Sequence, residues 1–140
     1  MRSLSSTRIF SGGMLALAML MIAGCGAEKA SNVFSVSGNV SYDGKPIPKG
    51  NISFAPDASK NNQGPGATAE IKDGKYEMMP GKGISGGPYV LVINGYDGVP
   101  VASGEGGMDP NGKVLFESYK MTVDFPHEDT QRDLEIPKQK

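Results

Sequence analysis

The 140-residue chain contains no tryptophan, one cysteine and one histidine, and each scarcity excludes something. A single cysteine rules out an intrachain disulfide, so the fold must hold by its own core. A single histidine, His127, removes the multi-histidine metal sites, and it leaves no histidine–cysteine set of ligand number. The longest apolar run, residues 14–23, has ten residues, whereas a membrane span needs about 20. No charge dominates either: 14 basic side chains face 15 acidic ones, intermixed along the chain. Without a basic patch, nucleic acid is excluded as the partner. Helical apolar stripes are missing as well. Twenty glycines and ten prolines, almost all after residue 24, break helices and punctuate short alternating segments.

What is present begins at the N-terminus. Arg2 and Arg8 precede the apolar run, which ends in Ile22-Ala23-Gly24-Cys25. A positive region, a short apolar region and small residues form a secretory signal. The cysteine directly after the small pair resembles the lipobox of bacterial lipoproteins. That resemblance implies that the Cys25 thiol takes a diacylglyceryl group, the leader is cut before it, and the new amine is acylated. Several acyl chains, each methylene contributing about 0.8 kcal/mol, would anchor the protein stably. Gly26 stands where an aspartate would resemble the inner-membrane retention signal, so the expected location is the outer membrane of the cell envelope. The chain then divides into a leader (1–24), a small polar tether (25–32), one domain (33–137) and a short tail (138–140). The leader holds two of the basic residues and no acid, so residues 25–140 carry 12 basic and 15 acidic side chains, a net of −3.

The domain reads as all-β. Phe34, Val36, Gly38, Val40 and Tyr42 alternate with polar residues, which predicts a strand with one wet face. Asp43-Gly44 predicts a turn, and Pro46 and Pro48 argue against a central strand beyond it. Further strands are expected over 51–55, with Ile52 and Phe54 inward, over 67–71, and around Tyr76 and Met78. Asp73-Gly74 between the last two is a two-residue hairpin signal. The run 89–93 (Tyr-Val-Leu-Val-Ile), apolar on both faces, belongs in the sheet centre. A strand over 114–125 and a last one at Leu134 and Ile136 complete about seven, enough for two packed antiparallel sheets. Two loops stand out. The polar segment 57–66 has little to bury and is expected to be mobile. The glycine-rich excursion 94–112 has room for a short strand at 99–102.

The segment from Val36-Ser-Gly-Asn-Val-Ser-Tyr-Asp-Gly through Ile52-Ser-Phe54 is similar to the opening of carboxypeptidase-regulatory-like, transthyretin-like domains. Ile71-Lys-Asp-Gly-Lys-Tyr76 and Gly87-Pro-Tyr-Val-Leu-Val-Ile93 resemble that family's later strands. Joined to a lipobox leader, the pattern looks like the small lipoproteins abundant in planctomycetes. The resemblance implies a transthyretin-like (Ig-like) seven-stranded β-sandwich and a non-catalytic accessory role. It carries no catalytic residue across.

Several constellations have plainer readings. Gly81-Lys-Gly83-Ile-Ser-Gly86 matches a dinucleotide fingerprint, but Pro88 and a β run follow where a helix is required, so it reads as a loop. His127 sits in Pro126-His-Glu-Asp-Thr130 and reads as a solvated, mobile turn side chain. Asp97-Gly98 and Asp109-Pro-Asn-Gly112 lack the acid ladder of a calcium loop and read as turns. Tyr42, Tyr76, Tyr89 and Tyr119 belong to strand faces, and Tyr96 to the long loop. Asn39-Val-Ser41 and Asn51-Ile-Ser53 are chance sequons on strands. A hydrolase lacks a nucleophile–base pair. No cofactor and no metal are expected, and the only site residue is Cys25. The expected function is that of a membrane-anchored structural or interaction domain, its partner an envelope protein. The rival is a peptide- or glycan-binding module using loops 57–66 and 94–112. Convergence of those loops at one end of the domain favours the rival, and opposite ends favour a spacer.

Overall fold

The computed structural model describes residues 32–104 and 106–140. The leader, Cys25 and the tether up to residue 31 lie outside the described residues. The rest is all-β, with one single-turn 3-10 segment at Ala58–Lys60. The strands are β1 (Val36–Tyr42), β2 (Lys45–Pro46), β3 (Lys49–Pro56), β4 (Ala67–Lys72), β5 (Lys75–Met78) and β6 (Gly87–Tyr96). They continue with β7 (Val101–Ala102), β8 (Met108–Asp109), β9 (Val114–Phe125), β10 (Thr130–Gln131) and β11 (Leu134–Ile136). Seven of these are three residues or longer, at the seven positions read from the sequence. The other four are two-residue pairings; one of them, β7, falls within the short strand expected at 99–102, and the remaining three are too short for alternation to reveal.

The strands hydrogen-bond in the order β10-β1-β5-β4-β3-β6-β9, with β11 and β2 also paired to β1 and β7-β8 as a separate hairpin. The two sheets expected from the strand count are thus one continuous path. The path curls, because its ends meet: the rings of Tyr42 on β1 and Phe116 on β9 lie 4.9 Å apart. Curling encloses one face. Ile52 and Phe54 of β3, Ile71 of β4, Tyr76 of β5 and Tyr89, Leu91 and Ile93 of β6 are buried there. Phe54 and Tyr89 both reach Phe125, with centroids 6.0 and 6.1 Å away. The alternate residues of each strand face outward, as period two requires. Val90 and Val92 of the all-apolar run are only half-buried, so β6 has one core face rather than two.

Two turns set the register. Asp43 and Gly44 have φ of 51° and 74°, and Asp73 and Gly74 have φ of 51° and 75°. Positive φ at both central positions is the type I′ geometry whose twist suits a hairpin. Gly74 is further constrained by Pro46, which lies against the place a Cβ would occupy.

Not every pairing is antiparallel, contrary to expectation. β10 and β11 run parallel to β1, with Val36 opposite Thr130 and Val40 opposite Leu134. The cause is the direction of approach. β9 ends at the edge of the molecule where β1 begins, and the turn 126–129 sends the chain back along β1 in the same sense. Gly38 permits the close approach, since a Cβ there would collide with the Arg132 carbonyl. The excursion after β6 also differs from expectation. β6 continues through Tyr96, which is therefore a strand residue, and the short strand at 101–102 pairs with a partner at 108–109.

β9 is irregular near its start. Ser118 has φ of 53°, and the register with β6 shifts between Ile93 and Tyr96. This is a β-bulge, which explains how Phe116 and Tyr119, an odd number apart, share the inner face. Asn94 tends the bulge: its Oδ1 accepts from the Ser118 N–H at 2.8 Å, while its Nδ2 donates to Asn51 Oδ1 at 3.0 Å.

Candidate functional site

Following the chain direction separates the molecule into two ends. β1, β4 and β6 begin at one end, and β3, β5 and β9 finish there. That end gathers the start of the domain, loop 57–66, the connection 79–86 and the turn 126–129. The opposite end gathers the two type I′ turns, the excursion 97–113 and the tail after β11. The two long loops singled out from the sequence therefore sit apart by the length of β6, about 30 Å at 3.4 Å per residue.

The first end is well ordered by hydrogen bonds. Asn62 Nδ2 donates to the carbonyls of Pro88 at 2.7 Å and Gly86 at 3.3 Å, and its Oδ1 accepts from the Gly64 N–H. Tyr89, fully buried, donates its hydroxyl to the Pro65 carbonyl at 3.0 Å and accepts from the Ser85 N–H at 3.2 Å. Loop 57–66 is thus pinned to the start of β6 and is not the loose segment its composition predicts. Polarity is what made it look free, but here the polar groups satisfy backbone partners.

His127 belongs to this end. Its Nδ1 lies 2.7 Å from the Ser85 carbonyl. A carbonyl only accepts, so Nδ1 carries the proton. The ring also stands edge-on to Phe34 at 6.3 Å and against Gly86, whose φ is 78°. The imidazole is a clasp between the turn 126–129 and the 79–86 connection rather than a mobile side chain. Phe34 itself pairs with the fully buried Ile84 by two backbone hydrogen bonds of 2.7 and 3.1 Å. The glycines at 81, 83 and 86 accordingly form a strand connection that accommodates Phe34 and His127. Strand β6 follows them, so no helix N-terminus faces the loop.

At the opposite end two carboxylates of the excursion accept from backbone amides. Asp97 Oδ1 accepts from the N–H groups of Val99 and Lys113, both at 2.9 Å, and Asp109 Oδ1 from that of Asn111 at 2.9 Å. The Val99 and Asn111 bonds, each two residues on from its aspartate, are Asx-type turns, and the Lys113 bond ties the two ends of the excursion together. Among the described residues, no three histidine, cysteine or acidic side chains group as metal ligands would.

Tyr76 and Tyr89 are part of the core and Tyr42 and Tyr119 pack against it, whereas Tyr96 does not. Tyr76 donates to the Arg132 carbonyl at 2.6 Å and so latches the crossing between β10 and β11 onto β5. Burial, with the Asp133 carboxylate adding to it, holds the Tyr76 phenol well above its ordinary range. Tyr42 accepts a bond from the Gln139 N–H at 3.3 Å.

The outer face carries a shallow hollow of about 740 Å³ over β1, β5 and β4. Its floor is a register of like pairs: Glu70 faces Glu77, and Lys72 faces Lys75. Lys49 extends the lysine row, opposite Lys72. Like charges directly opposite each other are unfavourable. The Lys72–Glu70 pair at 3.1 Å offsets part of this, but both partners are solvent-exposed. No buried polar or charged residue lies among the described residues to orient a small molecule in such a hollow. The chain matches no protein-family model, no curated protein and no solved structure.

Proposed function

We propose that this chain is a lipid-anchored, non-catalytic structural or interaction domain of a bacterial cell envelope. In this reading Cys25 is the lipidated residue and the outer membrane is its seat. The curled sheet is read as a transthyretin-like β-sandwich of the carboxypeptidase-regulatory-like kind, its two halves joined through the β4–β5 hairpin. The observation that carries the reading is the polarity of the fold. The domain begins at the same end as loop 57–66, while the excursion 97–113 and its exposed Val99 and Met108 lie at the other. A chain entering from a membrane tether would hold that far end away from the lipid. Loop 57–66 and the excursion 97–113, about 30 Å apart at the two ends of β6, do not form the joint mouth that a peptide- or glycan-binding module would use, so the spacer reading is favoured.

The anchor is the testable part. Cys25→Ser removes the acylated thiol, and the processed protein should then leave the membrane fraction, with its mass confirming that the leader is gone. Persistent membrane fractionation of a correctly cleaved variant would overturn the lipoprotein reading.

A further inference from the structure

Among the described residues β9 pairs with β6 and with no other strand, so its outer edge is a row of free backbone donors and acceptors. It is the longest strand, and long free edges are templates for another strand. The opposite end of the sheet is unlike it. There β10 and β11 are two and three residues long, interrupted by Arg132 and Asp133 and closed by Pro137.

The free edge is self-complementary. Between the bulge at Ser118 and Pro126, residues 119–125 form a regular stretch. Its midpoint is Thr122. Turned antiparallel about that residue, a second copy would bring Lys120 opposite the partner's Asp124 and Asp124 opposite the partner's Lys120, both on the solvent face. Thr122 would face its own copy. On the inner face Met121 would meet the partner's Val123, and Tyr119 the partner's Phe125. Opposite charges, threonine pairs and apolar pairs are the favourable cross-strand combinations. Moving the centre two residues to Lys120 would set lysine against lysine.

Burial points the same way. Leu91 and Ile93 on β6 are fully buried, while their partners Met121 and Tyr119 on β9 are only partly covered. A further strand beyond β9 would cover both.

We propose that β9 is a self-association edge through which two copies of this chain join antiparallel about Thr122. The dimer is isologous, as two-fold symmetry requires. The inference stands on β9 alone and does not depend on the lipid anchor. One strand pair buries less than a standard interface, so the expected affinity is micromolar.

The test uses the full chain in nonionic detergent, followed by sedimentation between about 1 and 100 µM, the range suited to a small interface. The unsubstituted chain should shift from monomer to dimer across this range. Lys120→Glu alone gives an edge with two acids, and Asp124→Lys alone gives one with two bases. Each should weaken dimerisation about tenfold or more, while an equimolar mixture of the two should restore it as a heterodimer. Thr122→Cys should form a disulfide-linked dimer, because directly opposite Cα atoms lie about 4.5–5.5 Å apart. Lys120→Cys should not, because its two copies would sit about 14 Å apart. The unsubstituted chain controls for Cys25. A monomer throughout the range, or a dimer indifferent to both charge changes, would overturn the proposal.

Discussion

Tyr76→Phe removes one oxygen from a buried ring, and its effect should reverse sign with pH. Tyr76 is 3% exposed, and its hydroxyl donates to the Arg132 carbonyl at 2.6 Å. At pH 7 the variant loses that bond. The bond joins a phenol to a backbone carbonyl, and its net loss should be about 1 kcal/mol. Alkaline pH acts on the other side of the equilibrium. Burial first, and the Asp133 carboxylate second, raise the folded phenol above its ordinary value. The ordinary value, about 10, governs the unfolded chain. A group raised on folding contributes stability that is fully present below its unfolded pKa and is lost as pH climbs towards the folded one. At pH 11 ionisation of Tyr76 in the unfolded chain favours unfolding by about 1.4 kcal/mol, that is, RT times the logarithm of 11. Phenylalanine has no such term. The variant should therefore be about 1 kcal/mol less stable than the parent at pH 7 and slightly more stable at pH 11. Urea unfolding of both proteins at the two pH values measures this directly, since every other titrating group is shared. A difference that stays constant from pH 7 to 11 would refute the argument, because it would mean that the phenol ionises as readily in the folded state.

Two further substitutions probe the core and the clasp. Leu91 is fully buried on β6, so Leu91→Ala should cost about 2–5 kcal/mol in unfolding free energy, and a loss below about 1 kcal/mol would contradict its place in the core. His127→Ala breaks the Nδ1–Ser85 bond at the exposed end of the molecule, so it should cost about 0.5–1 kcal/mol and raise amide exchange in the 79–86 connection; unchanged exchange there would show that the imidazole holds nothing.

The sequence by itself determined the strands. Period two places Ile52 and Phe54, Tyr76 and Met78, or Val123 and Phe125 on the buried face without reference to any neighbour, because alternation is a property of the strand's own geometry. It also determined the hairpin at Asp73-Gly74, where both residues take positive φ that few other pairs tolerate. What only the tertiary structure decided are the relations between distant residues. That β11 lies parallel to β1 depends on which end of the sheet β9 finishes at, and no local pattern encodes this. The single curled path, rather than two separate sheets, follows from the β4–β5 pairing and from Tyr42 meeting Phe116 some seventy residues later. Asn62, Asn94 and His127 look like ordinary polar loop or strand residues in the sequence. Their roles exist only because folding brings Pro88, Ser118 and Ser85 within hydrogen-bond reach. The separation of loops 57–66 and 94–112 to opposite ends is of the same kind: each loop's composition is local, but its position is set by the direction of the strands it joins.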